Sequence, residues 1–167
     1  MALAPSSRAL CDAMVFGLNP SDGAIIELGP GTGKVTESLL ACGFSQSQLT
    51  LFELNPDFYE LLKQRFPNAD VRLQNATRCE TAQHDHVQAC VSGLPLLSFS
   101  AALQLEILST AFSKMGAEGV FVQYTYGYRS PVRDGVLAEL GLVAQVGRKI
   151  WGNLPPARVY RIVKAAI

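Results

Sequence analysis

The chain has 167 residues and a mass of 18.0 kDa, with 14 basic and 14 acidic side chains, 49% hydrophobic residues and a pI near 6.7. That size suits one domain with its own core, and the composition excludes a disordered chain. Zero net charge excludes a general polyanion-binding surface, and no apolar run reaches the roughly 18–20 residues needed to span a bilayer.

In chain order, Pro5-Ser6-Ser7 predicts the start of a short helix running to about Phe16, with a serine cap. Ala24–Leu28 reads as a buried strand leading into Gly29-Pro30-Gly31-Thr32-Gly33. A helix to about Ala41 follows, stopped by Gly43. Leu49–Leu54 is a second strand. Asn55-Pro56, a cap followed by proline, starts a helix to about Phe66. Val71–Gln74 is a third strand, and His86–Ser92 a fourth that ends in the turn Gly93-Leu94-Pro95. Ala101–Met115 has helical spacing, with Leu105, Leu108 and Phe112 directed to the core. Gly119–Tyr126 is a fifth strand, and Val132–Leu140 a helix closed by Gly141. Leu142–Trp151 and Arg158–Val163 form two last strands joined by a short connection, which implies an antiparallel hairpin. The alternation predicts an α/β fold with a seven-stranded, mostly parallel sheet and a C-terminal antiparallel hairpin, in one domain over 1–167.

The four cysteines, Cys11, Cys42, Cys79 and Cys90, form no C-x-x-C pair and read as reduced thiols of a cytoplasmic protein. No signal peptide is recognisable at Met1. His84 and His86 could share a strand face near Cys79 and Cys90, but the spacing matches no zinc site, so no metal is expected. The charge is uneven: from Arg129 onward there are 7 basic and 2 acidic residues. A basic C-terminal third on a neutral chain points to a local anion site.

The glycine loop carries the first chemistry. A strand-to-helix turn of this kind lies at the carboxyl edge of a doubly wound sheet, where ligands bind. Its spacing is G-x-G-x-G, with Glu27 two residues before Gly29. Lys34 stands where the dinucleotide fingerprint needs a third small residue. Val35 breaks the phosphate-loop pattern. Glu53, 20 residues after Gly33, closes the second strand, where a carboxylate can accept from both ribose hydroxyls. The pattern fits a nucleoside ligand without a pyrophosphate, such as S-adenosylmethionine.

Several further runs are distinctive: Ala4-Pro5-Ser6-Ser7-Arg8, Ser92-Gly93-Leu94-Pro95-Leu96-Leu97, Val122-Gln123-Tyr124-Thr125-Tyr126-Gly127 and Asn153-Leu154-Pro155-Pro156-Ala157-Arg158-Val159-Tyr160. With Glu27–Gly33 they make the chain resemble the class I S-adenosylmethionine-dependent methyltransferases, which have a Rossmann-like fold. More narrowly it resembles the bacterial phospholipid N-methyltransferases, which convert phosphatidylethanolamine to phosphatidylcholine.

The resemblance implies S-adenosylmethionine as cofactor and S-adenosylhomocysteine as product. Cofactor-binding residues would be Glu27, Gly29, Gly31, Thr32, Gly33, Glu53, Leu54, Asn75, Ala76 and Ser92. Ser92, with the carbonyls of Leu94 and Pro95, would meet the amine. The partner implied is a phospholipid headgroup at an anionic membrane surface, met by a monomer lying peripherally on the inner face, with no nucleic acid. Asn75 replaces the usual aspartate at the adenine, and Lys34 a usual apolar residue. The chain begins where the family's amphipathic N-terminal helix would have ended.

Tyr124, Tyr126 and Tyr128 alternate, so on a strand they share a face that could hold a methylated ammonium by cation–π attraction. Arg129, Arg158 and Tyr160 are candidates for the substrate phosphate, since guanidinium matches phosphate geometry. No carboxylate lies in the turn after the fourth strand, so positioning, with the proton passing to water, is the expected chemistry. Two alternatives compete. One is an RNA adenine N6-dimethyltransferase, whose turn usually reads Asn-[Leu/Ile]-Pro-aromatic. The other is a cofactor-binding member with impaired membrane activity.

Overall fold

The computed structural model describes residues 7–153 and 155–167. Ala4, Pro5, Ser6 and Leu154 of the quoted motifs lie outside the described residues.

Seven strands form one sheet: β1 (Ala24–Leu28), β2 (Leu49–Glu53), β3 (Asp70–Leu73), β4 (Val87–Ser92), β5 (Val120–Thr125), β6 (Leu142–Ile150) and β7 (Ala157–Lys164). Among the described residues five α-helices accompany them: α1 (Arg8–Val15), α2 (Lys34–Ala41), α3 (Pro56–Arg65), α4 (Ala101–Met115) and α5 (Asp134–Leu140). The sheet order is β3-β2-β1-β4-β5-β7-β6. β1 to β5 are parallel, and β7 runs antiparallel to both β5 and β6. The sheet is therefore mostly parallel with a terminal hairpin, as the alternation implies.

The hairpin folds back so that its second strand lies inside. β7 carries the buried residues Ala157, Val159, Tyr160 and Ile162, whereas most of β6 is exposed. The internal strand holds the more buried side chains, and the edge goes to Gln145, Gly147 and Arg148.

One face of the sheet is covered by α1, α2 and α3 through Leu10, Met14, Leu39 and Leu62. The other is covered by α4 and α5, with Ile107, Leu108, Ala111, Phe112 and Val136. Each fully buried leucine contributes about 2 kcal/mol. Chain order reverses between β1 and β4, the switch point where such sheets open a crevice at their carboxyl ends.

Element limits agree with the sequence expectations to within one or two residues, with informative exceptions. A 3-10 segment at Ala76–Thr81, absent from the sequence reading, follows β3 and is capped by Asn75. β4 starts at Val87, so His86 stands outside it and is exposed, while His84 is half-buried. Among the described residues, no three His, Cys, Asp or Glu side chains are grouped to hold a metal. No helix among them is long and apolar enough to cross a membrane. All four cysteines are free, and only Cys42 is exposed.

α5 begins at Asp134, two residues later than expected. The cause is Gln104, a fully buried side chain of α4. Its amide donates to the carbonyls of Leu96 (2.7 Å) and Pro131 (3.1 Å) and accepts from the Arg133 amide (3.0 Å). It thus ties the stretch after β4 to the loop after β5, holding Pro131–Arg133 out of helical geometry.

Candidate active site at the carboxyl edge

Two tight turns meet at the switch point. Gly29, Gly31 and Gly33 have φ of +63°, +57° and +89°, which favour glycine. The neighbours differ at each. A Cβ on Gly29 would lie 2.8 Å from Leu94 Cδ2, and one on Gly33 2.6 Å from Phe66 Cε2. A Cβ on Gly31 would meet nothing within 4 Å. Two glycines are therefore demanded by the protein's own packing. Gly31 opens onto a cradle where a ligand can approach the backbone, which is the observation that the cofactor fits.

The β4 turn is seated directly against this loop. The Gly93 amide donates to the Leu28 carbonyl (2.8 Å), and a Cβ on Gly93 would lie 2.8 Å from the Gly29 carbonyl oxygen.

Two carboxylates frame the loop. Glu53, 8% exposed, accepts from the amides of Gly31 (3.0 Å) and Asn55 (2.9 Å), one on each oxygen. Each oxygen keeps a lone pair that a ribose hydroxyl could use. Glu27 lies on β1 facing α2, where Thr36 donates to it at 2.6 Å. Burial pushes the Glu27 carboxyl up to about 7, with nearby Glu53 adding to the rise and the Thr36 hydroxyl opposing it. Thr36 and Gln104 went unrecognised in the sequence. The signal was present in a polar residue at a core position of a helix.

The remaining cofactor candidates line the same edge. Thr32 and Leu54 are exposed beside the loop, Leu54 at 60%. Asn75 is exposed, and its carbonyl oxygen accepts from the Thr77 amide (3.0 Å), the capping geometry of an Asx turn. Ala76 is buried behind it.

Ser92, Leu94 and Pro95 build the turn after β4. Ser92 is fully buried, and its Oγ accepts from the Leu94 amide at 3.2 Å. The Leu94 carbonyl accepts from the Leu96 amide (2.9 Å) and from the Gln123 side chain (2.7 Å). The Pro95 carbonyl accepts from both the amide (3.0 Å) and the hydroxyl (2.8 Å) of Ser98. Both carbonyls thus use two acceptor positions inside the protein. In this arrangement the turn is a rigid wall, clamped from β5 by the buried Gln123.

The tyrosine face is shorter than its alternation suggests. β5 stops at Thr125, whose hydroxyl accepts from the Gly127 amide (3.0 Å) and turns the chain. Tyr124 and Tyr126 remain together, edge to face at 5.6 Å. Tyr128 leaves the strand and is 87% exposed, its ring beside the Lys149 ammonium. Tyr126 gains a partner instead. Its hydroxyl accepts from Asn153 (3.4 Å), and Asn153 in turn accepts from Ser7, the cap of α1. Three of the distinctive sequence runs converge at this point. Beside it an apolar cleft of about 280 Å³ is lined by Leu94–Ser98 and by Tyr124–Gly127.

The phosphate candidates are distributed differently. Arg158 is half-buried on β7, paired with Thr125 and Lys149, and Arg129 is exposed in the loop after β5. Strand alternation places Arg158 and Tyr160 on the face of Ile162, opposite to that of Tyr124 and Tyr126. Tyr160 is buried beside Gln123 and Val146. Arg161 lies toward α1, where it donates to the Phe16 carbonyl and burial lowers its pKa.

Residues 9–122 match the family model for ribosomal RNA adenine dimethylases. The chain is also 33% identical over 136 residues to an ornithine lipid N-methyltransferase of Singulisphaera acidiphila, covering 74% of this chain and 69% of that one. The fold is shared with the CcbJ methyltransferase of Streptomyces caelestis, with a TM-score of 0.72, 12% identity and coverage of 98% and 91% of the two chains. It is shared as well with the glycopeptide N-methyltransferase MtfA complexed with S-adenosylmethionine (TM-score 0.64, 13% identity, 99% and 100% coverage). The glycine loop, its two carboxylates and the seven-stranded sheet are those of a class I S-adenosylmethionine-dependent methyltransferase, and the chain belongs to the ribosomal RNA adenine dimethylase family.

Proposed function

We propose that the enzyme N-methylates the primary amine of a membrane-lipid headgroup, carrying phosphatidylethanolamine toward phosphatidylcholine. The observation that carries this reading is the apolar cleft between the β4 turn and the Tyr124–Tyr126 pair. It would receive the apolar part of a lipid while the polar head reaches the glycine-loop edge. The lipid-methylating relative supports it.

Glu27, Gly31, Glu53 and Asn75 are the residues that would hold S-adenosylmethionine, which when bound would supply an electrophilic methyl to a neutral amine, the sulfonium leaving as a thioether and the amine proton going to water. The chain's task is positioning. The clamped turn at Ser92–Pro95 fixes one wall, and the rings of Tyr124 and Tyr126 fix another and favour the growing positive charge on nitrogen. Arg129 and Arg158 are the proposed phosphate partners, at the rim of the same edge.

Labelled S-adenosylmethionine incubated with vesicles containing phosphatidylethanolamine or ornithine lipid tests the reading. Label is expected in the amine lipid. Label in ribosomal RNA fragments, with none in lipid, would overturn it. That second reading has the family model in its favour. Against it stand zero net charge and the sequence Ser92-Gly93-Leu94-Pro95-Leu96, which lacks both the asparagine and the aromatic residue of the RNA-modifying turn.

Tyr126→Ala is expected to lower kcat/KM for lipid by about tenfold, the scale of a desolvated cation–π contact. Tyr126→Phe keeps the ring and is expected to stay within about threefold, losing only the weak Asn153 contact. A loss in Tyr126→Phe equal to that of Tyr126→Ala would assign the role to the hydroxyl.

A further inference from the structure

The loop after β5 and the tip of the β6–β7 hairpin form one exposed patch, in which Trp151, Tyr128 and Lys149 have no part in the chemistry above. Thr125, Arg158 and Lys149 lie in one row across β5, β7 and β6. β6 runs in the same direction as β5, so the hairpin tip projects from the same carboxyl edge as the active site. Beyond that row stand Trp151, 71% exposed, and Tyr128. The Lys149 ammonium lies 4.4 Å from the Trp151 ring centre and 5.6 Å from that of Tyr128, joining the two loops. Leu97, 56% exposed, borders Gly127 on the other side and continues into the apolar cleft.

Large apolar side chains exposed together call for a partner. The two segments are rich in cations, with Arg129, Arg133, Arg148, Lys149 and Arg158 against Asp134. Tryptophan and tyrosine joined by a lysine, in segments rich in arginine, is the composition that settles at a bilayer surface: rings among the headgroups, cations on anionic lipid. The aliphatic Leu97 and the apolar cleft behind it suit acyl chains better than stacked bases.

We propose that Trp151, Tyr128 and Leu97, with Arg148 and Lys149, form a docking surface that inserts into the headgroup layer of an anionic bilayer and sets the cleft over its lipid substrate. This rests on the lipid reading above but names a different contact. Asn153, two residues beyond Trp151, hydrogen-bonds Tyr126, so docking and the site share one loop.

Trp151 is the only tryptophan of the chain, so its fluorescence reports the contact directly. Mixing the full chain with phosphatidylglycerol-containing vesicles is expected to shift its emission to the blue. Brominated lipid is expected to quench it, and half-molar salt to reverse both changes. In co-sedimentation, Arg148→Ala is expected to weaken vesicle affinity about fivefold, as for one basic residue at a charged surface. Trp151→Ala is expected to weaken it about tenfold. Neither variant should change methyl transfer to a dispersed short-chain amine lipid.

Methylation of vesicle lipid with Trp151 emission unmoved would overturn the docking surface and leave the lipid reading standing. Insertion of Trp151 with no lipid methylated would support the surface and overturn that reading. Steeply salt-dependent binding to structured RNA, with no response to vesicles, would overturn both.

Discussion

Gly33→Ala is expected to destabilise the fold by about 2–5 kcal/mol, whereas Gly31→Ala, two residues away in the same loop, should cost only about 1–2 kcal/mol. Both positions hold positive φ, +89° and +57°, so both variants carry backbone strain of about 1–2 kcal/mol. They differ in what the new methyl meets. At Gly33 it would fall 2.6 Å from Phe66 Cε2, 3.0 Å from Cζ and 3.2 Å from Leu62 Cδ2. Leu62 is fully buried and Phe66 nearly so, and neither can swing aside without opening the core beneath α2 and α3. Overpacking of this kind adds about 1–3 kcal/mol. At Gly31 the methyl meets nothing within 4 Å.

Thermal melts followed by circular dichroism should therefore separate the two, with Gly33→Ala lower in Tm by roughly 5–15 °C and Gly31→Ala by only a few degrees. Cofactor titration should reverse the order of surprise. Gly31→Ala, still folded, is expected to weaken S-adenosylmethionine binding by at least tenfold, because its methyl occupies the cradle. Unchanged affinity in Gly31→Ala would show that the ligand does not approach the backbone there.

That contrast also shows what a sequence reveals and what it conceals. The glycine loop was legible because its demands are local: a sharp turn between a buried strand and a helix needs glycine wherever the chain goes next. The sheet was legible for a similar reason. Ala24-Ile25-Ile26 and Val87–Val91 are runs suited to burial on both faces, and turn residues bracket them. The inside position of β7 was not legible, because LVAQVGRKI and ARVYRIVK do not differ in a way that marks one for the interior.

Contacts made across long sequence separations were not legible. Ser7 and Asn153 stand 146 positions apart, and nothing in either segment specifies the other. Gln104 sets where α5 starts from a position about 30 residues earlier. The tyrosine alternation overreached because periodicity does not show where a strand stops. One hydroxyl, that of Thr125, ends β5 and sends Tyr128 out to solvent. The Leu94 and Pro95 carbonyls were expected to be available to an amine. In this arrangement both accept from within the protein, from Leu96, Gln123 and Ser98, partners that the turn's own sequence does not specify.

Glu27 carries the other large expected effect. Its carboxyl is held near 7 by burial, against an ordinary value of 4.5, so the folded protein binds that proton more tightly than the unfolded chain. The sign follows from this difference. The stabilisation from the bound proton is complete below about 4.5 and is lost as pH rises through about 7. Across that interval it amounts to about 3 kcal/mol. Glu27→Gln keeps the shape and removes the titration. Its stability relative to the parent should therefore rise between pH 4.5 and 7 and level off above, a difference readable in urea melts at a series of pH values. A parallel pH dependence in the two proteins would mean that the group is not held protonated.

An acid kept at this cost needs a use, and on the proposed reading the use is the cofactor. S-adenosylmethionine carries a sulfonium and an ammonium, and held at the loop that Glu27 and Glu53 flank it would favour the ionised carboxylate. Binding should release a proton near pH 6 and tighten as pH rises toward 7, and the Thr36 hydroxyl at 2.6 Å already stabilises that ionised form. Calorimetric titrations in buffers of different ionisation heat count the proton. Glu27→Gln should release none and bind at least tenfold more weakly at pH 8, even though it is the more stable protein there. On the proposed reading stability and binding would pull in opposite directions at this one side chain of an otherwise apolar strand.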